Sequence, residues 1–243
     1  MYTLLKKEIS GFFSSLTGYI VIIVFLIING LFIWIFPGVN NVLDSGYATL
    51  DSLFSIAPWV FLFLAPAVTM RMFSDEKKTG TIELLLTRPL SDFQIIFGKF
   101  LAALSLVLFS LLPTLIYFYT VYKLGNPVGN IDTGGTWGSY IGLFFLAAIY
   151  VSIGVLSSAI TDNQIVAFIT GMLLCFVVYI GFDYISELGM FKSIDGLIIN
   201  LGINEHYKSM SRGVIDSRDM IYFVSVIAFF IIITKTVLQS RKW

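Results

Sequence analysis

Residues able to do chemistry are few and scattered in this chain. It has one His, His206, and one Cys, Cys175. Tetrahedral zinc takes three or four N, S or O ligands, and no H-E-x-x-H motif occurs. A phosphate-cradling loop reads G-x-x-x-x-G-K-[ST]. The only Gly-Lys step is Gly98-Lys99, with Phe93 where the first Gly should stand and Phe100 after the Lys. ATP hydrolysis by that route is excluded, and no cofactor or metal is expected on this chain. Cys175 sits midway along an apolar run and reads as a small core residue rather than a reactive thiol. His206, in a polar stretch, reads as solvated or interfacial. Asp162 and Asp183 lie at the ends of apolar runs. Asp162 is expected to cap a helix, and Asp183 to serve as a cap partner or a pathway residue. No carboxylate falls mid-run, which argues against a proton-coupled carrier.

The elements that would carry these residues belong to a membrane. Of 243 residues, 57% are apolar and 12% charged. Soluble domains run at about 45–50% and about 25%. Fifteen Lys+Arg balance fifteen Asp+Glu, so net charge says nothing for or against nucleic acid. A spanning helix needs about 20 apolar residues, since each rises about 1.5 Å through a core about 30 Å thick. Charge-free runs cover 9–43, 52–70, 100–122, 133–161, 163–182 and 220–234. They predict spans over about 19–36, 52–72, 93–122, 137–160, 164–184 and 219–239. Lys235 would carry its ammonium out along its stem. The first span, behind Lys6 and Lys7, is too long for a signal-peptide core and reads as a retained anchor.

With six spans both termini share one side. That side would hold Lys6, Lys7, Arg71, Lys77, Lys78, Arg88, Lys99, Lys235, Arg241 and Lys242, ten of the fifteen basic residues. Lys123, Lys192, Lys208, Arg212 and Arg218 fall on the other. The positive-inside rule therefore makes the termini cytoplasmic.

Local signals sharpen the loops. Thr79-Gly80-Thr81 can start a short helix, with Thr hydroxyls capping free N–H groups and Glu83 favoured in the first turn. Pro89 stops it, giving a rod over Thr79–Thr87 whose Leu84, Leu85 and Leu86 cannot all face their own bundle. Such a rod could lie on headgroups or dock a partner. Ser91 and Gln94 then form a capping box, with Leu90 and Ile95 in the staple positions. Thr161 and Gln164 form another, which predicts a tight hairpin through Asp162 and Asn163. Leu4, Leu5, Ile9, Phe12, Phe13 and Leu16 make one apolar face of an N-terminal amphipathic helix, residues 1–17, ahead of a single bundle over 18–243. Leu197, Ile198 and Leu201 against Asp195 and Asn200 suit a second interfacial helix. Pro113 should kink the third span. Gly134, Gly138 and Gly142 permit close helix approach, by internal packing or at a dimer seam.

The phrase Gly80-Thr81-Ile82-Glu83-Leu84-Leu85-Leu86-Thr87-Arg88-Pro89-Leu90-Ser91, followed by Gln94 and Gly98-Lys99, resembles the signature of ABC-2-type transporter permeases. So do Lys6-Lys7-Glu8, Phe12-Phe13 and Gly18-Tyr19-Ile20 near the start, and Ser211-Arg212-Gly213-Val214-Ile215-Asp216 before the last span. Within that family the likeness is strongest to permease subunits associated with gliding motility. The resemblance implies an all-α inner-membrane bundle of six helices that pairs with a second permease chain, as a homodimer or with a related subunit. It implies a separate ATPase subunit that carries ATP and Mg, and no nucleic-acid partner. It makes Thr79–Thr87 an ATPase-coupling helix, with Thr79, Gly80, Thr81, Glu83, Leu84, Leu85, Thr87 and Pro89 as its site residues. The turn Thr161, Asp162, Asn163 and Gln164 becomes a second approach to the ATPase. One departure is that Asp75-Glu76-Lys77-Lys78 lacks the Arg that relatives often carry after the acid. A secondary carrier and a non-transporting membrane anchor are the competing classes.

Overall fold

The computed structural model describes residues 1–86, 90–187, 195–213 and 216–240. The described residues form helices joined by turns and loops, without a strand. Helix α1 (Tyr2–Ser14) breaks at Ser15, whose backbone is extended, and α2 (Leu16–Gly30) continues into a π-turn at Leu31–Ile35. A short α3 (Val42–Ser45) precedes α4 (Asp51–Thr69), α5 (Ser74–Lys78) and α6 (Thr81–Leu86). Helices α7 (Asp92–Leu111) and α8 (Leu115–Leu124) form one interrupted span. They are followed by α9 (Thr133–Ile160), α10 (Gln164–Glu187), α11 (Asp195–Leu201), α12 (Ile203–Ser211) and α13 (Ser217–Gln239).

Six stretches are long and apolar enough to cross a membrane: Leu16–Ile35, Asp51–Lys78, Asp92–Leu124, Thr133–Ile160, Gln164–Glu187 and Ser217–Gln239. The six expected spans are all present. Helix α1 and the end of span six lie at one end of the bundle, since Lys99 donates to Glu8 and Gln239 donates to Asp92 at 3.1 Å.

Span four (α9) is the scaffold. It packs against α4, α7, α10, α12 and α13. Its small residues explain how. Gly154 lies under Thr69 and Pro66 of span two, and Gly171 of span five sits against Pro66 and Ser157. Lipid supplies no hydrophobic drive between helices, so such close approach is what brings these backbones together.

The glycine stripe is settled by the same contacts. A Cβ at Gly138 would strike the Met210 carbonyl oxygen, and one at Gly142 would crowd Tyr207 and Met210 at 3.2–3.3 Å. The stripe is covered by α12 of the same chain, which buries Ile203, Tyr207 and Met210 there. Gly134 takes no part; a Cβ there meets only its own Asp132 at 3.5 Å. Tyr207 donates its hydroxyl to the Phe54 carbonyl at 2.7 Å, and burial pushes its phenol well up, so the donor proton stays in place. Pro113 breaks span three as expected. A 3₁₀ turn, Leu112–Thr114, replaces the α-helix there. Beside the break, Tyr140 donates its hydroxyl to the Thr114 carbonyl at 3.0 Å.

Leu16 departs from the expected apolar face of α1. It is 74% exposed and opens span one instead, because the chain turns at Ser15. Helix α1 runs along α7, with Leu4 over Gly98 and Phe13 edge-on to Phe109 at 5.4 Å. Residues 188–194 and the side chains of Asp195, Leu197 and Ile198 are outside the described residues, so the amphipathic pattern drawn there falls outside as well.

The packing of α12 predicts a contrast between two glycines of one stripe. Gly138→Val should destabilise the protein by about 1–3 kcal/mol, the cost of overpacking, read as a lower midpoint of thermal unfolding in detergent. Gly134→Ala should leave the midpoint unchanged or slightly higher. Equal effects at both positions would mean that α12 does not seat on span four.

Candidate functional site

The polar end of the bundle begins where span two runs out of apolar residues. The chain leaves α4 at Thr69 and turns through residues 70–73. Span four staples that turn. Phe73 and Ser74 donate their backbone N–H groups to Ser158 Oγ at 2.8 and 3.1 Å, and Ser158 Oγ donates to the Met70 carbonyl at 3.2 Å. Ser74 Oγ also donates to Met70 O. Free N–H groups at a helix start need such acceptors. Here a side chain 84 residues away supplies one.

Helix α5 is then held on the end of span four and the start of span five. Lys77 Nζ donates to the Ala159 carbonyl, and Gln164 Nε2 donates to Asp75 Oδ1. Gly80 ends α5 in the left-handed region, at φ +70°. An L-residue with a Cβ is disfavoured there. The next helix starts at Thr81 rather than Thr79. The Thr hydroxyls turn back toward α5. Thr79 Oγ1 turns back to the Asp75 carbonyl at 2.8 Å, and Thr81 Oγ1 to the Glu76 carbonyl at 3.4 Å. Within the expected rod Thr79–Thr87 the described helix is α6, Thr81–Leu86, set off from α5 by the turn at Gly80. Thr79, Gly80, Thr81 and Glu83 are exposed, and Ile82 is half-buried. Thr87, Arg88 and Pro89 lie outside the described residues, as do the side chains of Leu84, Leu85 and Leu86. The stop assigned to Pro89 falls there too.

Span three restarts as the residues dictate. Gln94 N–H donates to Ser91 Oγ at 3.3 Å, and Ser91 N–H donates to Gln94 Oε1 at 3.2 Å. Both halves of the capping box are made. Leu90 is half-buried and Ile95 buried.

The turn between spans four and five is tight, three residues from Ile160 to Gln164. Its cap differs from the expected box. Asn163 Oδ1 accepts from Ile165 N–H at 2.9 Å, while Thr161 Oγ1 accepts from Asn163 N–H at 3.1 Å. Asp162 is exposed and makes no cap. Gln164 is diverted because its amide reaches across to Asp75. That exchange joins the two sequence-predicted segments, 79–87 and 161–164, through α5.

Sequence reasoning missed the centre of this region. Lys99 is 1% exposed and sits eight residues beyond Ser91, about 12 Å along the helix. Its ammonium donates to Glu8 Oε1 at 3.2 Å, Glu76 Oε1 at 2.7 Å and the Met72 carbonyl at 2.7 Å. All three donors of the ammonium are used. Phe73 lies beneath it, 5.1 Å from the ring centroid. Three segments thus meet at one buried cation: α1, the exit of span two, and span three. The available signal was a lone Lys two turns inside a span, which needs counter-ions.

The remaining chemically able residues have structural partners. His206 is a correction to the solvated reading. Its Nδ1 lies 2.7 Å from Asp219 Oδ1, its Nε2 2.8 Å from the Asn200 carbonyl, and its ring stacks on Tyr222 at 3.8 Å. It locks α11 and α12 to span six. Asp183 accepts from Asn204 Nδ2 at 2.6 Å and ties span five to α12. Cys175 is fully buried in the core. Among the described residues no group of His, Cys, Asp and Glu could hold a metal ion.

Two comparisons bear on this geometry. The family model described as ABC-2 family transporter protein matches residues 2–205. No curated protein matches the chain.

Lys99→Met leaves Glu8 and Glu76 as buried carboxylates without their cation, and should cost about 3–5 kcal/mol of stability. Adding Glu8→Gln and Glu76→Gln to that variant should restore much of the loss. Thermal unfolding of the three proteins side by side checks this, and an unchanged midpoint in Lys99→Met would remove the cluster from the stability of the fold.

Proposed function

The chain belongs to the ABC-2 transporter family, and from that premise we propose that it is a permease subunit moved by ATP hydrolysis on a separate ATPase subunit. A membrane permease component of an ABC transporter is what the family and the six apolar helices establish. The coupling is the step beyond. ATP and Mg belong to the partner, which docks on the exposed helix after Gly80 and on the Asp162–Asn163 turn beside it. The observation that carries this reading is the Gln164–Asp75 bond, which holds the turn against α5, the helix that leads into the exposed one. A push on that face passes to span two through Ser158 and to span three through Lys99.

In the proposed arrangement this end is cytoplasmic and the membrane is the inner membrane. The order of spans along the sequence assigns ten of fifteen basic residues to that side. Helix α1 serves as the amphipathic helix beside the bundle, and a second permease chain, identical or related, completes the pathway. Likeness to the gliding-motility-associated subunit GldF supports surface motility as the process served.

Copurification from solubilised membranes tests the class. A stoichiometric ATPase subunit supports the reading; its absence favours a carrier working alone, and an ATPase whose nucleotide state leaves the bundle unchanged favours a non-transporting anchor. Glu83→Arg and Leu84→Asp should weaken ATPase binding about tenfold or more, the size of one interfacial contact at about 1.4 kcal/mol. The fold should be kept, since Glu83 is exposed. Wild-type ATPase binding in both variants would overturn the docking assignment.

A further inference from the structure

A cleft of about 340 Å³ opens where α1 meets the exits of spans two and three. That volume is at the lower end of small-molecule sites. Its walls carry charges of both signs: Lys7 and Arg71, and Glu8, Asp75 and Glu76. We propose that it binds the headgroup of a membrane phospholipid that ends in a primary ammonium, with phosphatidylethanolamine as the simplest case. This is independent of the ATPase assignment.

The order of charges from depth to rim makes the argument. The carboxylates of Glu8 and Glu76 lie deep, 17% exposed. Lys99 neutralises one charge of the two. The second oxygen of Glu76, Oε2, is buried without a hydrogen-bond partner. A buried carboxylate oxygen without a donor costs free energy. Lys7 and Arg71 stand exposed at the rim, and neither side chain makes a hydrogen bond or ion pair with another described residue. A phosphoethanolamine headgroup reaching in from the bilayer has the matching order: ammonium at its tip, phosphate behind it. The phosphate then meets Arg71 and Lys7, and the ammonium brings N–H donors to Glu76 and Glu8. A quaternary ammonium has no N–H to give, and a glycerol headgroup has no positive charge.

The level and the surroundings favour a lipid over a free zwitterion. Arg71 is the first charge after the apolar run of span two, which sets this cleft at the headgroup boundary. Thr17, at the start of span one, lines it. From that corner Leu16, Ile20, Ile23 and Ile27 run along span one as an exposed apolar stripe, able to take acyl chains.

The test uses the full chain, delipidated in detergent and titrated with palmitoyl-oleoyl phosphatidylethanolamine, phosphatidylcholine or phosphatidylglycerol, with bound lipid counted by native mass spectrometry. One phosphatidylethanolamine should bind about tenfold tighter than either other lipid, and Arg71→Gln should weaken it about tenfold, as for one lost charge-assisted bond. Glu76→Gln should reduce the preference for phosphatidylethanolamine over phosphatidylcholine, a ratio that general loss of stability does not move. Equal binding of the three lipids, or unchanged binding in Arg71→Gln, overturns the site. Free phosphoethanolamine competing at the same concentration as the whole lipid overturns the lipid as its occupant.

Discussion

The ammonium of Lys99 is the constraint on which the polar end of this protein depends. A cation two turns inside a span has no water to solvate it, so its acceptors must come from the protein. Glu8, Glu76 and the Met72 carbonyl supply them. Each belongs to a different stretch of chain from Lys99 itself. Satisfying one charge therefore fixes the position of α1, the direction in which span two ends, and the depth of span three. The apolar contacts of α1, such as Leu4 over Gly98, are not enough for this, because lipid tails would cover Leu4 nearly as well.

Span four does the same work by shape rather than charge. Gly138 and Gly142 let α12 lie on its one end, and Gly154 lets span two close on its other. Ser158 adds a polar staple where span two turns. The helix is the common neighbour of both ends of the molecule. At the far end the outer helices are held by side chains that looked available for chemistry. His206 and Asp183 are spent on Asp219 and Asn204. At the other end, Thr81 and Glu83 of α6 and Asp162 and Asn163 of the turn before span five stand exposed.

That distribution accounts for the kind of function the chain can have. It contains rigid ties and an exposed face, and no catalytic constellation among the described residues. Force applied at the exposed face meets short connections: Gln164 to Asp75, Ser158 to the turn after span two, Lys99 to Glu76. Such ties suit an element moved as a body better than one that binds and releases a proton. Gly80 sits between the tied helix and the exposed one, so the joint falls where backbone freedom is greatest.

Much of this was written in the order of residues. Six apolar runs had to be helices that span, because hydrocarbon leaves backbone groups no partner outside their own helix. The Ser91 capping box and the break at Pro113 followed from local chemistry and hold in the structure. The outcomes at 161–164, at Thr79 and Thr81, at His206 and along the glycine stripe did not follow. In each of them a polar or small residue had two possible partners, one local and one distant. Gln164 left its own helix start for Asp75, and Gly138 and Gly142 met α12 rather than a second chain. Length and apolarity are properties of a segment, and so they are legible along it. The choice of partner is a property of which helices become neighbours, and the folded bundle alone decides that.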